Sequence, residues 1–204
     1  MSTAILAKRP VLVDRLGATS VLTNVLYVAA GVALLALAAQ VQIPMWPVPI
    51  TGQTFAVLAV GASFGIWRAV TTTVAYVALA VAGLPILAPQ VDGSHTTGLA
   101  VLSLPTFGYL IGFVLASAVL GWFAERKWER KFLTALVSFI IAEAVIYAVG
   151  LPWLSVWLGA HSYPNDVSAT LAAGFTPYLL GDAIKAALAA GLLPVSWMLV
   201  SRKK

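Results

Sequence analysis

Cysteine is absent from this 204-residue chain, which excludes a disulfide framework, a thiolate zinc site and a cysteine nucleophile. Charge is scarce. Only 9% of residues are Asp, Glu, Lys or Arg, and the net charge of +5 is not gathered into an aromatic-interleaved basic patch of the kind that binds nucleic acid. No Walker A glycine loop is present, so an ATP-driven step would have to come from another chain. No row of polar residues lines a helix, which argues against an ion channel. His95 and His161 stand in separate loops, which makes a weak metal signal.

What fills the chain instead is apolar. With 61% hydrophobic residues it reads as an all-α integral membrane protein and as a single membrane domain over 1–204. Six segments approach the roughly 20 residues needed to cross a hydrocarbon core about 30 Å thick. They lie near Val21–Ile43, Pro49–Gly65, Trp67–Leu87, Leu104–Phe123, Phe132–Leu158 and Pro177–Val200. Proline-rich or charged breaks separate them: "IPMWPVP", "IWRA", "PQVDGSHTT", "AERKWERK" and "AHSYPNDVS".

Lysine and arginine set the orientation. Lys8, Arg9 and Arg15 precede the first segment, Arg68 is in the second break, Arg126, Lys127, Arg130 and Lys131 are in the fourth, and Arg202, Lys203 and Lys204 follow the last. Breaks one, three and five hold none, so eleven of twelve cations share one side, and the positive-inside rule places that side and both termini in the cytoplasm. The implied location is a cell membrane that the chain crosses several times. Trp46, Trp153 and Trp157 then fall toward outer helix ends, and Trp67, Trp122, Trp128 and Trp197 toward inner ones, as interfacial anchoring requires. A basic start followed by an apolar run containing Ala36-Leu37-Ala38 resembles a cleavable signal, but the run is too long for a signal core, and cleavage is not expected.

Most of the acids read as solvated. Asp14 falls in the N-terminal segment 1–20, Asp92 and Asp166 in outer loops, and "AERKWERK" as a cytoplasmic anchor ahead of the basic tail 201–204. Glu143 lies inside the fifth segment and reads equally as a packing residue or a site residue.

The twelfth cation is the exception. In "YLLGDAIKAALA", Asp182 and Lys185 sit three residues apart in an apolar helix, about 8 Å and 12 Å from its outer end at 1.5 Å per residue. They share one face, and that face belongs inside the bundle, because a charge near the centre of a lipid-facing helix costs about 2.5–3.5 kcal/mol. An ion pair alone seldom stabilises better than apolar packing. The pair therefore suggests a pocket open to the outside in which the ammonium takes an anionic group and the carboxylate takes N–H donors. The matching ligand is small and mostly apolar, with an acid at one end and amide or urea N–H groups at the other. A rival motif, "GASFG" at 61–65, fits G-x-S-x-G, but a nucleophile elbow at Ser63 needs a strand–turn–helix setting, and Gly61 and Gly65 are explained by close helix packing.

Taken in order from about residue 44 to 190, "WPVPITGQTFAVLAVGASFG", "YVALAVAGLPILAP", "PTFGYLIGFVLAS", "GWFAERK", "IYAVGLPWL" and "YLLGDAIKAALA" resemble the blocks of the BioY family, the biotin-binding S-components of energy-coupling-factor (ECF) vitamin transporters. The resemblance implies an S-component-like bundle that binds biotin from outside. It also implies a coupling protein and two ATPases as partners, and no cofactor. Biotin, with a valerate carboxylate and a ureido ring, has the ligand shape that the pair requires. By position, the resemblance places Asp182 and Lys185 in the substrate site, with Thr106, Tyr109, Tyr147 and Gln53 beside them. Alternatives are a solitary biotin transporter or an S-component for another carboxylate vitamin. The chain departs from the family in the third break, where an arginine and several glycines are usual and "VDGSHTTGLAVLSLPTFGY" stands here; His95 and Thr96 are stand-ins in a loop that covers the pocket. Ala29 and Ala33 on the first helix resemble the docking face for the coupling protein.

Overall fold

A computed structural model describes residues 10–17 and 20–201. Lys8, Arg9, Arg202, Lys203 and Lys204 lie outside the described residues. The described residues are mainly helical, with α1 Val21–Gln40, α2 Gln53–Phe64, α3 Ile66–Val81, α4 Phe107–Ala124, α5 Phe132–Ala160, α6 Val167–Gly174 and α7 Leu179–Ser201. Two short strands, β1 Gln42–Ile43 and β2 Ile50–Thr51, pair antiparallel between α1 and α2.

Among the described residues four stretches are long and apolar enough to cross a membrane: α1, α4, α5, and the stretch from Val167 to Val200 that takes in α6 and all but the last residue of α7. At 12 and 16 residues, α2 and α3 are apolar but span only about 18 and 24 Å, short of the hydrocarbon thickness. Of the six segments expected from hydropathy, the second and third are therefore shorter than expected. The chain between α1 and α2 spends Gln42–Thr51 on a proline-rich hairpin, which takes residues from both flanking segments. Helix α3 stops at Val81 rather than Leu87 because Gly83 adopts φ +111°. Its N–H returns to Ala80 O and that of Leu84 to Leu79 O, the paired bonds of a Schellman cap, and Pro85 follows. Between α2 and α3, Gly65 at φ +76° turns the chain without a break in packing.

The break before α7 is also reinterpreted. Asp166 is no free loop acid: its Oδ1 accepts Ala169 N–H at 3.1 Å and caps α6, which a 3-10 turn at Thr176–Tyr178 joins to α7. At the other end of the molecule Asp14 is likewise not simply solvated. It pairs with Arg68 at 2.8 Å, while Val11 and Val13 bury against Ala124, Tyr27 and Phe64. Within "AERKWERK", Glu129 is buried beside Arg130, whose guanidinium lies 3.8 Å from the centre of the Trp197 ring. Burial pushes the Glu129 carboxyl above the usual carboxylate range.

Helix α4 is the centre of the fold, packed on α5, α2 and α3, with α7 against α5 and α2 and α1 against α3 and α2. Leu58, Tyr76, Leu120, Phe139, Ile146 and Leu154 form the middle of the core. Helix α1 buries only Gly31, Leu35 and Ala39, a stripe at four-residue spacing, and its opposite face, with Ala29 and Ala33, is exposed.

Candidate binding site

A cavity opens between α2, α4, α5 and α7 and is roofed by the 44–49 and 87–91 loops. Its polar focus starts at the first turn of α7, where Asp182 is only 4% exposed. Asp182 Oδ1 accepts from Lys185 Nζ at 3.1 Å and from Thr54 Oγ1 at 3.2 Å, and Oδ2 accepts from the Tyr147 hydroxyl. Lys185 Nζ also donates to Thr54 Oγ1 at 2.8 Å. The carboxylate thus has three donors, and Thr54 completes a closed ring by accepting from the ammonium while donating to the acid. A charge pair with this many partners can sit in an apolar helix face without an unsatisfied atom.

The fold brings all six residues singled out in the sequence to this one cavity, though not in equivalent ways. Tyr147 touches Asp182 directly, and its ring lies edge-on to Phe175 and Tyr109. The Tyr109 hydroxyl is engaged elsewhere, donating to Gly174 O at 2.9 Å, so this side chain offers the cavity its ring. That ring can lie on α5 because residue 150 is glycine: a Cβ there would stand 2.5 Å from Tyr109 Cδ1. Gln53 is buried and donates to the Tyr76 hydroxyl at 2.9 Å, which in turn donates to Ile86 O at 3.0 Å, so it fixes the roof loop from below. Thr106 lies at the N-terminal end of α4 on the cavity wall. Two more residues join the wall: Thr54, which the P-I-T-x-Q-T block contains but which the sequence does not single out, and Glu143, which reads from sequence equally as a packing or a site residue and whose Oε1 is buried without a hydrogen-bond partner.

One expectation changes. With Lys185 Nζ and Asp182 Oδ1 3.1 Å apart, the cation and the anion form one polar spot in the cavity, not two separated ones. The remaining wall is apolar, with Leu110, Phe113 and Ile146 inside and Pro44, Trp46, Pro47 and Pro89 toward the mouth. Cross-links hold the two roof loops. Gln42 Nε2 donates to Pro89 O at 3.0 Å, Gln40 Nε2 to Leu87 O at 3.3 Å, and the Tyr178 hydroxyl to Val48 O. Trp46 rests on Tyr163 and Trp157. His95 and Thr96 are not on the cavity wall; His95 Nδ1 lies 3.0 Å from Leu87 O and braces the roof from outside. Rim residues Gln90 and Val91 belong to a turn closed by Gln90 N–H to Ser94 O at 2.8 Å. Within that turn the hydroxyl and N–H of Ser94 bond Asp92 and hold its carboxyl below the usual range.

The G-x-S-x-G reading is not supported by the fold: Ser63 is the next-to-last residue of α2, and the helix runs into Gly65 and α3 with no strand before the serine's turn.

Comparison with known proteins gives one consistent answer. The model of the BioY family matches residues 9–202. The biotin transporter BioY of Thermotoga maritima is 34% identical over 158 residues, covering 78% of this chain and 86% of the relative. A biotin transporter BioY from Rhodobacter capsulatus is 35% identical over 147 residues, covering 68% and 73%. Among solved structures, an S-component for biotin from an ECF-type ABC transporter superposes with a TM-score of 0.69 at 24% identity, covering 92% of this chain and 96% of the other. The fold is that of the S-component, and the chain belongs to the BioY family.

Proposed function

We propose that the chain takes up biotin across the membrane as the substrate-binding subunit of an ECF-type transporter, and that it is a transport protein rather than an enzyme. The names of its relatives support the ligand and the ring of Asp182, Lys185, Thr54 and Tyr147 carries the reading. A cyclic urea presents a carbonyl acceptor flanked by N–H donors. Lys185 Nζ donates to the carbonyl, and Asp182 Oδ1, beside it, accepts a neighbouring N–H. Tyr147 holds Oδ2 so that the carboxylate does not turn away. Tyr109, Leu110, Phe113 and Ile146 bury the sulfur-containing bicycle and the methylene chain.

The alternation of cation-rich and cation-free breaks supports six crossings with both termini cytoplasmic, the two short helices α2 and α3 being sheltered by their neighbours. The cavity mouth, beside Trp46 and Trp157, then faces outward in a prokaryotic cell membrane. Because the sequence holds no Walker A loop, energy comes from separate ATPase subunits through a coupling protein. The free face of α1, with small Ala29 and Ala33, suits close contact with that protein.

The test is calorimetric titration of the purified chain with biotin, read in parallel by tryptophan fluorescence, since Trp46 stands in the cavity wall. Saturable binding at submicromolar biotin is expected. Failure of biotin to bind while another carboxylate vitamin does would refute the ligand and leave the architecture standing.

A further inference from the structure

The two ends of the proposed ligand meet very different surroundings. Lys185 and Asp182 occupy one spot, so they read the ureido head and leave nothing for the far acid. Of the seven lysines and arginines among the described residues, Lys185 alone lines the cavity. At the mouth the wall is proline, Trp46 and Val91, with the neutral amide of Gln90. The rim turn that supplies Gln90 and Val91 carries a carboxylate, Asp92, kept ionised by its two bonds from Ser94. A carboxylate emerging there finds no counter-charge and one like charge, whereas an amide finds water and a side chain able to donate or accept.

Resting on the biotin reading, we propose that this pocket selects the ureido bicycle and not the free acid, so that biotin with its carboxyl tied up as an amide, including the amide to the ε-amine of lysine, is a ligand comparable to biotin itself.

The experiment uses the full chain in detergent and titrates biotin, its primary amide and its lysine ε-amide by calorimetry. The expected result is that each amide binds within about threefold of the acid. Biotin binding with both amides weaker by thirtyfold or more overturns this inference alone, and no binding by any of the three overturns the biotin reading along with it. Two variants sharpen the outcome. Gln90→Arg places a cation at the rim and is expected to shift preference toward the free acid by about tenfold. Asp92→Asn is expected to strengthen binding of the acid but not of the primary amide, an effect that fades at high salt. If neither variant moves the acid-to-amide ratio, the far end of the ligand is not at this rim, and the inference fails.

Discussion

Replacing Lys185 with methionine keeps an unbranched side chain of similar length and removes the ammonium. In the unliganded protein this leaves Asp182, 4% exposed, with two hydroxyl donors and no cation. In the complex it also removes a charge-assisted hydrogen bond to the ureido carbonyl. Losing one partner of a buried, hydrogen-bonded charge pair at a binding site costs about 2–5 kcal/mol, much of it the burden of the orphaned charge. At 1.4 kcal/mol per decade, biotin Kd should rise by a factor between about 30 and several thousand. The two contributions separate in the double variant Asp182→Asn with Lys185→Met, which carries no orphaned charge. If the lysine only neutralised the aspartate, the double variant would recover binding relative to Lys185→Met alone. If it also donates to the ligand, as proposed, a loss of tenfold or more persists. Calorimetry on the four proteins of the cycle gives the answer, and a Kd for Lys185→Met within twofold of wild type would refute the assignment of the head-binding site.

Thr54→Val breaks the hydroxyl link between Lys185 and Asp182 at constant shape, and biotin Kd should rise about three- to tenfold with little change in thermal stability, measured by calorimetry and by scanning fluorimetry. Gly150→Ala drives a methyl against the Tyr109 ring, so it should lower Tm by several degrees and weaken binding together, two effects read on the same sample. For Glu129, whose carboxyl is raised by burial, the folded protein binds a proton more readily than the unfolded chain. Its contribution to stability is therefore present at low pH and declines as pH rises past the ordinary glutamate range. Glu129→Gln should accordingly raise Tm at pH 7 and lose that advantage near pH 4, and an unchanged Tm difference between the two pH values would contradict the burial argument.

The helices were legible because apolar composition in lipid leaves few alternatives for the backbone. Where they end was less so. Hydropathy runs through Val81 into Leu84, Ile86 and Leu87, and only the Gly83 cap, a conformational signal, stops α3. The same blindness hid α6, whose start depends on one capping bond from Asp166. In the site, Asp182 and Lys185 stood out because charge is rare in such a helix. Thr54 did not, because a threonine in a membrane segment usually satisfies itself on its own backbone, and its partners lie 128 and 131 positions away. Tyr109 and Gln53 came from the family blocks, and the structure gives them different tasks, a ring surface and a brace for the roof.

The polar head of the pocket is satisfied by its own side chains, and under the proposed function this bears on how recognition works. Lys185, Asp182, Thr54 and Tyr147 are bonded to one another, so an arriving urea exchanges bonds with a formed ring and does not rescue stranded charges. Exchange of this kind yields little net free energy per hydrogen bond, on the order of 1 kcal/mol, but it rejects a head lacking either the carbonyl or the N–H, because one member of the ring would then be displaced without a replacement. Affinity must come chiefly from elsewhere. The apolar walls of Leu110, Phe113, Ile146 and the Tyr109 ring provide it at about 25 cal/mol for each Å² withdrawn from water. Discrimination and tightness thus sit on different residues of one cavity. On the proposed reading the charged pair is the part that selects, and its position one to two turns into α7 sets how deep the ligand must travel before the walls can close on the rest of it.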